Sequence, residues 1–188
     1  MRKKLLITCG LIFFIALYGN SSINYQCKAL LKVLEKNGIN SFSVISEIPV
    51  DENIIKEYKL HGKFFEIQSD VSQYKYIYTG RVNSCRAGGC SVSGNTPEDG
   101  QSEYFDYFIL FDIEKTVQLV KVYNYQASHG QEITAKGWLK QFQGHDGSKS
   151  LQVDKNIDAI SGATISVYAI THDVEVRTAM LLHDLDLQ

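Results

Sequence analysis

Tyr104-Phe-Asp-Tyr-Phe-Ile-Leu-Phe-Asp-Ile113 and Val117-Gln-Leu-Val-Lys-Val-Tyr-Asn-Tyr-Gln126 are two runs rich in β-branched and aromatic residues, joined by Glu114-Lys115-Thr116. Such runs on either side of a short polar connection read as a β-hairpin, the clearest in the chain, and they supply the centre of a sheet. Upstream, Lys63 to Gln68 and Tyr74 to Val82 read as two more strands. The second places Tyr74, Tyr76 and Tyr78 on one face and Lys75, Ile77 and Thr79 on the other, the pattern of a half-exposed sheet face. Further upstream, Ile23, Cys27, Leu30, Leu31 and Leu34 recur at three and four, with Gly38 after them, which predicts an amphipathic helix from about 22 to 37. Asn40 to Ile48 suits a strand and Asp51 to Leu60 a short helix, so the front third is α-β-α.

Downstream of the hairpin, Ala135 to Phe142 reads as a short helix carrying the only tryptophan, Gly144 to Ser150 as a polar turn with His145 and Asp146, and Leu151 to Asp154 as an edge strand. The last segment, from about Ile165 to Leu185, places Val167, Ile170, Val174, Met180, Leu181 and Leu185 on one helical stripe, with Asp173, Glu175, Arg177 and Asp184 largely off it. No repeat, heptad series or low-complexity stretch interrupts this order. The fold class is α+β, an antiparallel sheet covered by helices.

A chain of 188 residues, 44% of them hydrophobic, buries one proper core and has little material for two. Its net charge of −2 and the lack of a basic cluster after residue 4 exclude a nucleic-acid surface. Met1-Arg2-Lys3-Lys4, the apolar run Leu5 to Tyr18 and Gly19-Asn20-Ser21 have the layout of an export signal; the run falls short of the roughly 20 residues of a membrane span, and retention as a short anchor is the alternative. Export permits disulfides. With Cys9 inside the signal, Cys27, Cys85 and Cys90 remain; the glycine-bearing loop Cys85-Arg-Ala-Gly-Gly-Cys90 can bring its ends together, so Cys85 pairs with Cys90 and Cys27 stays free. The surrounding stretch, Asn83 to Gly100, reads as a long loop.

The chemistry centres on Asp158-Ala159-Ile160-Ser161-Gly162-Ala163-Thr164, directly before the last helix. Gly162 reaches positive φ without steric cost, and a side chain there would crowd the loop. Thr164 falls at or beside the helix N-cap, where unpaired amides and the helix dipole favour a phosphate. On these residues alone, a plain capped turn remains an alternative.

Asp-x-x-Ser-Gly-Ala-Thr resembles the flavinylation motif of the FMN-binding domain family, found in the extracytoplasmic flavin subunits of the Na⁺-pumping NADH:quinone reductase and of Rnf complexes. Ala127-Ser128-His129-Gly130-Gln131-Glu132, followed by Trp138 to Gly144, is similar to that family's Glu-Thr-Pro-Gly-x-Gly turn and short helix ending in Phe-x-Gly. Here Ala127 replaces the Glu, His129 the Pro and Glu132 the second Gly, while Gly130 and Phe142-x-Gly144 are kept. The resemblance implies FMN joined through its phosphate to Thr164, with Asp158, Ser161, Gly162, Ala163, Ser128, His129 and Gly130 at the cofactor. It divides the chain into a signal or anchor (1–21), an N-terminal extension (22–72) and an FMN-binding domain (73–188). It also implies a flavin transferase for maturation and a membrane redox complex or another electron carrier as partner, outside the cytoplasm, in the periplasm or at the cell surface.

No GxGxxG after a strand, P-loop, HExxH or CxxCH occurs, the 5 histidines lack metal-ligand spacing, and Ser161, Thr164 and Ser166 have no base at dyad spacing. A small exported domain holding a covalent flavin is then expected to be an electron carrier, because the cofactor supplies the redox chemistry. The alternatives are a small exported flavin-dependent reductase and a non-redox module of the same fold.

Overall fold

The computed structural model describes residues 22–69, 72–84 and 103–185. The export signal, most of the long loop and the proposed Cys85–Cys90 pair lie outside the described residues. The chain builds a five-stranded sheet in the order β1-β2-β3-β4-β5, every pairing antiparallel: β1 Ile45–Ile48, β2 Gly62–Ile67, β3 Tyr76–Asn83, β4 Tyr104–Phe111 and β5 Val117–Tyr125. The helices are α1 Lys28–Lys36, α2 Glu52–Glu57, α3 Lys136–Leu139 and α4 Thr164–His183. The predicted α+β architecture is the observed one.

Helices cover both faces of the sheet, and the strand sequences follow from that. One face buries Phe65, Ile67, Ile77, Phe108 and Leu110 against Cys27, Leu30 and Leu34 of α1. The other buries Phe64, Tyr78, Phe105, Tyr107 and Ile109 against Val167, Ile170, Val174 and Leu181 of α4, with Leu139 and Phe142 of the α3 segment. With neither face wet, β4 has no polar alternation to keep, and Tyr-Phe-Asp-Tyr-Phe-Ile-Leu-Phe is buried at every position after Tyr104.

Four expectations change. Tyr76 and Tyr78 are buried instead of half-exposed, and Tyr74, which precedes β3 and so escapes its pleat, packs on the opposite face. Helix α1 starts at Lys28, because the Asn24 side chain accepts from Gln26 N and turns the chain, while Cys27 Sγ caps the helix by accepting from Leu30 N. The stretch 151–154 forms no strand, only an isolated bridge between Val153 and Ile157, since Asn156 bonds to Gln152 N and to Ser150 O and curls the segment on itself. The fourth concerns Asp173 and Arg177, which were expected off the apolar stripe of α4. Arg177 is 4% exposed. Its Nη2 donates to Asp173 Oδ1 at 2.6 Å, one turn back; its Nη1 donates to Tyr58 O at 3.2 Å; and Tyr107 Oη donates to Asp173 Oδ2 at 2.6 Å. Periodicity counts charge as outward, but two opposite charges at i, i+4 can go in together once their hydrogen bonds are met. Burial and then the Asp173 carboxylate hold the Tyr107 phenol well above its ordinary pKa, so it remains a donor.

Gly62 and Gly80 face each other across β2 and β3, and the Tyr78 phenol lies over the pair. A Cβ on Gly62 would come within 2.6 Å of Tyr78 Oη, and one on Gly80 would overlap the phenol. Gly80→Ala is therefore expected to destabilise the domain by about 1–3 kcal/mol in chemical denaturation; an unchanged midpoint would show that the phenol does not rest there. Asp173→Ala should cost more, about 3–5 kcal/mol, because it strands a buried guanidinium. The double variant Asp173→Leu, Arg177→Met should recover a large part of that loss, and a double variant as unstable as the single one would contradict the pairing.

Candidate functional site

The site lies where the end of β5, the start of β4 and the N-terminus of α4 converge. Tyr125 closes β5, its ring stacked on Phe105 of β4 with centroids 5.7 Å apart. Its hydroxyl donates to His129 O at 2.5 Å and lies 3.1 Å from Ser166 Oγ. One phenol thus ties the 128–130 turn to the first turn of α4. Ser84, just after β3, adds its hydroxyl 3.3 Å from Ser166 Oγ. Gly130 makes the close approach possible: its φ is +86°, and a Cβ there would come within 2.8 Å of Ser166 Oγ and 2.9 Å of Tyr125 Oη.

The second turn is held from another side. Trp138 Nε1 donates to Asp158 O at 2.8 Å, and Asp158 N donates to Gln141 Oε1 at 2.8 Å, so the α3 segment clamps the peptide on both sides of Asp158. The chain then passes exposed Ser161 and Gly162, the latter at φ +83°, to buried Ala163, which occupies the N-cap position of α4. Thr164 is the first helical residue and is exposed. No side chain caps this end of α4. The amides of Thr164, Ile165 and Ser166 are those that helix geometry leaves without an internal acceptor, at the positive end of the helix dipole.

A cleft of about 300 Å³ opens over this helix end, lined by Ser84, Glu103, His129, Gly162, Ala163, Thr164, Ile165 and Ser166. The two sequence motifs therefore meet, since His129 comes from one and Gly162 to Thr164 from the other. Gly130 lies buried behind the cleft, Ser128 is bonded to Glu103 at its edge, and Asp158 and Ser161 stay on the outer surface of their turn. Sequence reading missed Glu103, Ser84, Tyr125 and Ser166. Glu103 and Tyr125 come close only through the pairing of β4 with β5, which no local spacing reveals. Among the described residues no group of His, Cys, Asp and Glu is placed to hold a metal ion.

The geometry fits a phosphate-bearing ligand. It offers free amides, an exposed hydroxyl and a glycine whose missing side chain would point into open space. That last observation corrects the expectation of crowding at Gly162: the constraint there is the backbone angle. The volume is at the lower end of the roughly 300–1,000 Å³ of ligand sites, enough to seat part of an FMN and leave the rest at the surface.

The two glycines should respond differently to a methyl group. Gly162→Ala is expected to cost only the about 1–2 kcal/mol of a left-handed alanine, whereas Gly130→Ala adds a collision with Ser166 and Tyr125. Thermal melts should rank Gly130→Ala clearly below Gly162→Ala, and equal losses would mean that the turn does not press on α4.

No match was found among the curated proteins. Residues 100–176, from just before β4 to the middle of α4, match the family model described as the FMN-binding domain, and they contain the 128–130 turn, the Asp158 to Thr164 turn and all but one of the residues that line the cleft. Through this stretch the chain is similar to the FMN-binding domain family, a likeness that supports a flavin-binding protein.

Proposed function

We propose that the protein is an extracytoplasmic electron carrier that holds FMN as a phosphoester on Thr164. The observation that carries this reading is the position of Thr164, an exposed hydroxyl on the first residue of an uncapped helix, in the same cleft as His129 and within the matched segment. Attachment makes an O–P bond at Thr164 Oγ, which gives up its proton, while the phosphorus of an activated flavin donor loses its leaving group. A flavin transferase supplies that step. The amides of Thr164, Ile165 and Ser166 would hold the phosphate, and Gly162 leaves the approach open.

FMN supplies reversible uptake of one or two electrons; this chain binds it, orients it and exposes it. Open access favours a carrier that meets a membrane redox complex or another electron carrier over a reductase with an enclosed substrate pocket. The basic and apolar pattern of residues 1–18 supports export, with the periplasm or cell surface as location and the N-terminal segment as a possible anchor. Among the described residues no helix is long and apolar enough to cross a membrane.

The test is co-expression with a flavin transferase. Flavin fluorescence should stay with the denatured wild-type band in electrophoresis and vanish in Thr164→Ala, whose melting temperature should be nearly unchanged because the side chain is exposed. Fluorescence retained on Thr164→Ala would remove the threonine from its role. Turnover of a small-molecule substrate without any protein partner would favour the reductase.

A further inference from the structure

We propose that Glu103, Ser128 and His129 form a proton relay to the cleft, with His129 Nε2 as its terminal donor and Glu103 and Ser128 as positioning residues; this rests on FMN being the occupant. Ser128 N donates to Glu103 Oε1 at 3.2 Å, and Ser128 Oγ donates to the same oxygen at 2.5 Å. A hydroxyl has one proton. With that proton given to the carboxylate, Ser128 Oγ is an acceptor toward His129 Nδ1, 3.1 Å away. His129 is thereby assigned as the Nδ1–H tautomer, which leaves Nε2 as the nitrogen that takes and releases a proton. The backbone of His129 is fixed from the other side by Tyr125 Oη.

The surroundings favour a proton carrier at this position. Both Glu103 and His129 line the cleft that contains Thr164. Among the described residues, Glu103, Ser84, Thr164 and Ser166 share the cleft with His129, and Tyr125 donates to its carbonyl. The ring is exposed, so solvent recharges it after each transfer.

The step balances as FMN plus two electrons plus two protons giving reduced FMN. The electrons come from an external reductant such as dithionite or a redox partner, one proton comes from His129 Nε2–H and the other from solvent. Returning the electrons reverses the transfer.

Two measurements test the relay. On the flavin-free protein, nitrogen-15 spectra should show His129 as the Nδ1–H form at high pH, and Ser128→Ala should move it toward the Nε2–H form that a free imidazole favours. On protein loaded with FMN, the midpoint potential plotted against pH should bend where His129 titrates. The bend should disappear in His129→Gln. An Nε2–H form in the wild type overturns the chain of bonds, and a bend that persists unchanged in His129→Gln, on protein that has taken up flavin, overturns the relay alone. Wild-type protein that takes up no flavin overturns the FMN reading and the relay with it, whatever the tautomer.

Discussion

The position of Thr164 depends on how α4 is rotated about its own axis, and the buried Asp173–Arg177 pair sets that rotation. Apolar contacts alone tolerate small turns of a helix on a sheet, because dispersion and burial have little directionality. The bonds from Tyr107 to Asp173 and from Arg177 to Tyr58 O do not, since each requires a short distance and a narrow angle. They join α4 to β4 and to the C-cap of α2. Asp173 lies nine residues after Thr164, or about 13 Å along the helix. A rotation that broke the Tyr107 bond would swing Thr164 away from the 128–130 turn by a comparable angle. At the other end, Ser166 with Tyr125 and Ser84 adds a second fixed point. Two anchors on one helix determine both its tilt and its rotation.

The described lining of the cleft is short of point charges that would attract an anion. Among the described residues that line it are Glu103 and His129, and no lysine or arginine. A phosphate there would meet the helix amides and dipole, which are fixed and cannot swing toward competing anions in solution. The carboxylate of Glu103 has a task other than ligand attraction, because at this range it would oppose a phosphate.

The elements of this fold were legible because most of them are amphipathic or uniformly apolar over several residues, and the boundaries fell within a few residues at Phe105 to Tyr125 and at Val167 to Leu181. The exceptions share one cause. Cys27 as a helix cap, Arg177 as a core residue and Tyr74 on the far face all depend on which partner each side chain meets, and pattern reading assigns side chains to inside or outside by type. The site divides in the same way. Thr164, Gly162 and His129 were marked by local motifs, whereas Glu103, Ser84 and Tyr125 reach the cleft only after β3, β4 and β5 align. At Gly162 the positive φ read from the motif is found at +83°, while the space beside it, expected to be crowded, is open.

The matched segment, 100–176, contains two of the five strands, yet the core that carries the site does not end with it. Strand β3 pairs along the whole of β4 from Tyr76 with Phe111 to Asn83 with Tyr104, and Tyr78 of β3 packs edge-on against Tyr107 with centroids 5.7 Å apart. Strand β2 completes the phenol's bed through Gly62, and Tyr58 O receives Arg177. Residues ahead of the match thus hold the buried pair that orients α4, even though among the described ones Ser84 alone lines the cleft. The front of the chain acts on the cofactor site through the rotation of one helix, which is why its α-β-α segment has to share the sheet instead of standing beside it.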